Sequence, residues 1–190
     1  MELYTCTLIA CDKKDKTTGK STVNQYKNES CIKNLLSYIF QADTGGAPYV
    51  GARNIKCGTI KQMAKNIKQI QKLFKKDNGR RMYHYVLSFQ LAPTPENAKT
   101  LSHIAEDILD NYFHNDQIAY GIHTNTDNLH VHFVFSAVLV NGYKWNCRKN
   151  DFKILKKAIE MDACIAMNEN NYEYRNGNWY IKADLEEMIS

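Results

Sequence analysis

Ile122-His123-Thr124-Asn125-Thr126-Asp127-Asn128-Leu129-His130-Val131-His132-Phe133-Val134-Phe135 is the stretch whose reading decides the fold. His130 and His132 alternate with apolar residues in a segment that reads as a strand, so both imidazoles point to one face of a sheet. Six residues, mostly small and polar, separate His123 from His130, enough to join two antiparallel strands. Closing that hairpin sets His123 opposite the His-Val-His pair. Half of the chain's six histidines then share one sheet face, with the acid Asp127 in the loop above them. The set reads as a three-ligand metal site with open positions; sheet histidines with no common ligand are the alternative.

Working outward, 2–10 and 81–90 are further strand candidates, and 116–124 and 129–140 form the hairpin itself. Helices are expected over 31–41, with Ser30 as cap and Ile32, Leu35, Leu36 and Ile39 as the apolar stripe, and over 59–76, 98–113 and 151–168. Residues 12–29 read as a polar loop, Asn141-Gly142 and Asn176-Gly177-Asn178 as turns, and 183–190 as a short helical tail. Hairpin links among interleaved helices predict an α+β two-layer domain, its mainly antiparallel central sheet flanked by helices. The 190 residues suit a single domain, read here as 1–190, or as the N-terminal part of a longer protein.

No apolar run approaches the ~20 residues of a membrane span, and the first residues lack the basic start of a signal peptide. Six scattered cysteines without a Cys-x-x-Cys pair suit reduced thiols and a cytoplasmic setting. The net charge of +5 is unevenly spread. From Arg53 to Arg81 ten Lys/Arg face one acid, Asp77, and from Lys144 to Lys157 six face Asp151. Lys61, Lys65, Lys68, Lys72 and Lys75 form a ridge on the second helix, one residue out of phase with Ile60, Met63, Ile67, Ile70 and Phe74. This ridge, Arg80, Arg81, Lys144 and Arg148 are the candidate phosphate contacts; a solvated lysine face is the other reading.

A basic protein with three clustered imidazoles suggests a nucleic-acid phosphate as substrate, attacked by water or by a side chain. Among twelve tyrosines Tyr38 stands apart. It lies about 100° from the centre of the first helix's apolar stripe and just before a Gly-rich break, so its hydroxyl can emerge at an edge. A packing tyrosine at the rim is the competing reading. His84, mid-strand among tyrosines, either lines the site or is structural.

Three blocks occur in order: Leu35-Leu36-Ser37-Tyr38-Ile39; Tyr83-His84-Tyr85-Val86-Leu87-Ser88-Phe89; and His123-Thr124-x-Thr126-Asp127-x-x-His130-x-His132-Phe133-Val134. Together they resemble the mobilisation relaxases of the MOBP type found on Gram-positive plasmids and integrative elements, within the HUH endonuclease superfamily. The resemblance spans roughly 31–145. It implies Tyr38 as nucleophile, and His123, His130 and His132 as ligands of a divalent metal. The implied activity is strand-specific nicking at an origin of transfer, with a 5′-phosphotyrosine link that later reverses. The implied partners are single-stranded origin DNA with adjoining duplex or hairpin, relaxosome accessory proteins and a type IV secretion coupling protein, without membrane insertion.

The chain departs from the usual motif at Asn125, where an acid is expected. Asn125 can orient His123 but cannot take a proton, which leaves Asp127 as the acid for the tyrosine proton. Imidazole ligands favour Mn²⁺ over Mg²⁺, although Mg²⁺ is possible on grounds of abundance. A rolling-circle replication initiator or HUH transposase would use the same chemistry, a phosphodiesterase would use water, and a DNA-binding accessory protein would use none.

Overall fold

The computed structural model describes residues 6–11, 26–42 and 44–183. In chain order these form β1 (Cys6–Ala10), α1 (Cys31–Ile39), β2 (Val50–Arg53), α2 (Ile60–Leu73), β3 (Met82–Phe89), α3 (Pro95–Tyr112), β4 (Ile118–His123), β5 (His130–Ser136), α4 (Lys149–Glu169), β6 (Tyr172–Arg175) and β7 (Asn178–Ile181). The start expected for β1 at Glu2, the polar loop over 12–25 and the tail beyond 183 lie outside the described residues.

Five strands make one sheet in the order β1-β3-β5-β4-β2, every neighbouring pair antiparallel, and β6-β7 form a separate hairpin. Alternation assigns the two faces. Met82, Ala119 and Val134 pack under Ile32, Leu36 and Ile39 of α1 and Met63, Ala64 and Ile67 of α2. The intervening residues, among them Tyr85, Leu87, Ile122, Val131, Phe133 and Phe135, pack on α3 and α4. This is the expected α+β architecture, an antiparallel sheet flanked by helices. At nine residues, α1 is too short to hold its own helix in water. Its burial of Ile32, Leu36 and Ile39, each 0% exposed, contributes about 1.5–3 kcal/mol per side chain.

Several local expectations need correction. Ser30 makes no side-chain cap on α1, because its own backbone is already helical (φ −69°, ψ −21°). The chain enters instead through a turn at Asn28, whose carbonyl oxygen accepts from Cys31 N–H at 3.2 Å. The helix stops at Ile39 rather than Gln41, since Gln41 adopts a positive φ of 48°. Helix α2 carries a Thr59/Gln62 capping box. Gln71 sits fully buried on its inner face, where Nε2 donates to Arg81 O at 2.8 Å and Ser136 Oγ at 3.1 Å.

Asp116, just before β4, is buried and accepts from Trp145 Nε1. Burial pushes its carboxyl up to about 6, against the opposing effects of that hydrogen bond and of His114. A folded-state pKa above the unfolded value means that ionisation opposes folding, so this residue's contribution to stability falls as pH rises from about 4 to 6. Asp116→Asn keeps an acceptor for Trp145 and cannot ionise. It is expected to be more stable than wild type at pH 7.5, by on the order of 2 kcal/mol, with the gain vanishing near pH 4. Thermal melts at the two pH values measure this, and a pH-independent difference would contradict it.

Candidate metal and tyrosine site

The β4–β5 register pairs His123 with His130 and Gly121 with His132, while β3 sets His84 against Val134 and Val86 against His132. All four imidazoles therefore share the α1 side of the sheet. Ring centroids lie 4.2 Å apart for His123–His132, 4.9 Å for His130–His132 and 5.4 Å for His123–His130. One ring nitrogen from each of these three lies within 4.8 Å of the others.

Hydrogen bonds leave one nitrogen over on every ring. A carbonyl only accepts, so His123 Nε2, 3.0 Å from Ile39 O, carries that ring's proton and Nδ1 keeps its lone pair. His130 Nδ1 faces Asn128 O at 3.1 Å and donates to it, freeing Nε2. His132 Nδ1 lies 2.8 Å from His84 Nε2, and its own Nε2 is buried with no hydrogen-bond partner among the described residues. An orphaned buried nitrogen beside two other lone pairs is what a divalent cation would satisfy. The residues present fit such an ion. Burial, reinforced by the neighbouring imidazoles, lowers His132 to about 2 and His84 to about 4, and His123 is also lowered, chiefly by burial. Neutral rings, with lone pairs available to a metal, are the result.

Tyr38 lies over this set. Its ring meets those of His132, His123 and His84 edge-on at 5.1, 5.4 and 5.9 Å, and the residue is 53% exposed. Partial burial, with Cys11 nearby, raises its phenol above the usual tyrosine value. The ring reaches this position because β4 carries glycine at 121. A Cβ there would lie 1.9 Å from Ile39 O, so only glycine lets the end of α1 rest on the strand.

The structure thus brings together Tyr38, His84, His123, His130 and His132. Asn125 joins them at the edge, lining a small cleft with Tyr38, His123 and His130. Asp127 does not join them. It is exposed in the loop, lines neither cleft beside Tyr38 and makes no hydrogen bond with a described residue. Sequence reading also missed Gly121 and the carbonyls of Ile39 and Asn128 that orient two rings. Only the glycine left a signal, as an isolated Gly inside an apolar strand.

The basic side chains divide. Lys61, Lys65, Lys72 and Lys75 are exposed on the helical layer that holds Tyr38, whereas Lys68 is 3.4 Å from Glu29. Arg80 holds its guanidinium carbon 4.6 Å from the centre of the Tyr83 ring. Arg81 donates to Lys27 O and Gln71 Oε1, and Lys144 donates to the carbonyls of Lys76 and Asn78. These two cations fasten turns through carbonyl and amide oxygens and keep their charge. Arg148 stands at the start of α4, in the layer opposite Tyr38. Arg53 is paired with Asp110 and Glu106 of α3.

The site is thus three convergent imidazoles beneath a half-exposed tyrosine, on a five-stranded antiparallel sheet. The family model for the MobA/VirD2-like relaxase nuclease domain matches residues 38–163, well over half of the chain. The protein belongs to this family, the relaxases of the HUH superfamily. The match begins at Tyr38 and contains all four imidazoles. No curated protein matches the chain. Among the described residues, no helix is long and apolar enough to cross a membrane.

Proposed function

We propose that this protein nicks one DNA strand at an origin of transfer, with Tyr38 as nucleophile. The observation that carries this reading is the Tyr38 ring standing 5.1–5.9 Å from three of four clustered imidazoles, one of which has a buried nitrogen with no partner. Tyr38 Oη attacks the scissile phosphorus, the bond from phosphorus to the 3′ oxygen breaks, and a 5′-phosphotyrosine and a free 3′ hydroxyl result. The phenolic proton leaves to solvent, to which Tyr38 is half exposed, and the departing 3′ oxygen takes a proton from solvent. Because the phosphotyrosine conserves the ester, reversal recloses the strand without a nucleotide cofactor. His123, His130 and His132 would hold a divalent ion, Mn²⁺ in preference to Mg²⁺. When bound, it would draw charge from a non-bridging phosphoryl oxygen and favour the phenolate.

The three motif blocks support the MOBP type of Gram-positive mobile elements. With that type come relaxosome accessory proteins and a type IV coupling protein as partners, the cytoplasm as setting and 1–190 as the nuclease domain. Exposed Lys61, Lys65, Lys72 and Lys75 track the phosphate backbone of the strand or an adjoining duplex. A rolling-circle initiator or transposase differs only in its target. Asn125, standing where relatives carry an acid, is the one feature favouring a non-catalytic accessory protein.

Incubation with single-stranded origin oligonucleotides tests the reading. Expected are a product with a 3′ hydroxyl and a protein–DNA adduct, both lost with EDTA and restored at lower Mn²⁺ than Mg²⁺. Intact DNA with every origin strand tried would favour the accessory protein. His84 has a separate expected outcome as the residue holding His132 Nδ1. His84→Ala weakens Mn²⁺ binding by roughly 10–100-fold in calorimetry, and unchanged affinity would remove it from the site.

A further inference from the structure

Tyr38 stands between two clefts. The smaller, about 270 Å³, lies over His123 and His130. The larger, about 620 Å³, runs back along α1 from Tyr38 and His84 to Tyr26 and Asn28, with Asn34 and Leu35 on its wall. Its size falls within the roughly 300–1,000 Å³ of small-ligand sites. Among the described residues no lysine, arginine or carboxylate lines it, so no charged side chain there pairs with a phosphate. Its chemistry is that of a base pocket, with an apolar wall from Leu35 and Tyr26 and polar ends from two side-chain amides.

Among the described residues those amides keep unused hydrogen-bonding groups. Asn34 is exposed and its side chain makes no hydrogen bond with a described residue. Asn28 accepts from Ser30 N–H through Oδ1 at 3.2 Å, while its NH₂ group makes no hydrogen bond with a described residue. A strand cut at Tyr38 must leave the scissile phosphate in two directions, and both clefts open at that residue. On the reading that the protein acts on single-stranded DNA, we propose that the cleft along α1 receives an unpaired base flanking the scissile phosphate. The amides of Asn34 and Asn28 select it. Unpaired bases expose donor and acceptor edges that amides read, and one such pairing discriminates by roughly tenfold or more. Asn34 brings a donor beside an acceptor and Asn28 adds donors only, so the pair tells bases apart by the order of their polar groups.

The test uses the whole chain with Mn²⁺ and a pool of random single-stranded DNA. Bound strands are sequenced, and the selected pool is then assayed for a protein–DNA adduct. Wild type is expected to enrich one base at one position by roughly tenfold. Asn34→Ala flattens that position alone, while Mn²⁺ affinity stays unchanged because Asn34 touches no imidazole. Asn34→Asp keeps the shape but loses the donors, and shifts the enrichment toward bases with an exocyclic amine. No enriched base in wild type, or the same preference in both variants, overturns the proposal. A preference lost in Asn34→Ala, with no adduct from either protein, upholds the cleft and overturns the nicking reading.

Discussion

Tyr38→Phe is expected to lower strand cleavage and adduct formation by roughly 10⁴-fold or more, the scale seen when a covalent nucleophile is removed. The substitution deletes one oxygen and keeps the ring, and with it the edge-on contacts at 5.1–5.9 Å to His132, His123 and His84. Mn²⁺ affinity should therefore stay within about twofold, because no hydrogen bond to the imidazoles involves the phenol oxygen, and single-strand binding should change as little. Loss of chemistry with retained binding separates a nucleophile from a packing residue, whose loss would weaken the fold instead. A water-using phosphodiesterase would still cut, leaving a 5′ phosphate and no adduct. Denaturing gels with a 5′-labelled and a 3′-labelled strand distinguish these results.

Gly121→Ala is expected to damage the site, by less than loss of the phenol but without touching a reacting group. The added methyl would lie 1.9 Å from Ile39 O and 2.8 Å from Ile39 C, both backbone atoms of α1. Backbone cannot swing aside as a flexible side chain does, so the helix end must lift from β4. Two links go with it: the bond from His123 Nε2 to Ile39 O, and the seat of Tyr38 one residue earlier. Overpacking of this kind costs about 1–3 kcal/mol, and displacing a nucleophile by about 1 Å lowers its rate by roughly 10²-fold. The variant should melt below wild type, cleave at about one hundredth of its rate and bind Mn²⁺ more weakly, since His123 has lost its orienting carbonyl. Wild-type cleavage together with a wild-type melting temperature would show that α1 does not rest on Gly121.

The sheet and its histidines were legible because they follow from local rules. A two-residue spacing puts His130 and His132 on one face, and a short polar loop returns the chain so that His123 meets them. The helical stripe Ile32-Leu36-Ile39 likewise fixes which side of α1 is buried and leaves Tyr38 at the edge. What escaped depends on segments far apart in the chain. Gln71 looks like a surface residue until Ser136 and the Arg81 carbonyl give it partners. Arg81 and Lys144 count as positive charges in any composition, yet they are bound to carbonyls of the turns around them. Asp127 is close to the histidines in sequence, but the loop carries it outward. Gly121 was visible only as a missing side chain, and its reason lies in Ile39, more than eighty residues earlier.

The central claim is that the phenol of Tyr38 becomes covalently bound to DNA. Mass spectrometry of the trypsin- and nuclease-treated product formed with Mn²⁺ and an origin strand tests it directly. The account predicts a nucleotide mass added to the peptide that contains Tyr38, with fragmentation locating it on that ring. A nucleotide on any other tyrosine, or a cleaved strand with an unmodified Tyr38 peptide, would contradict it.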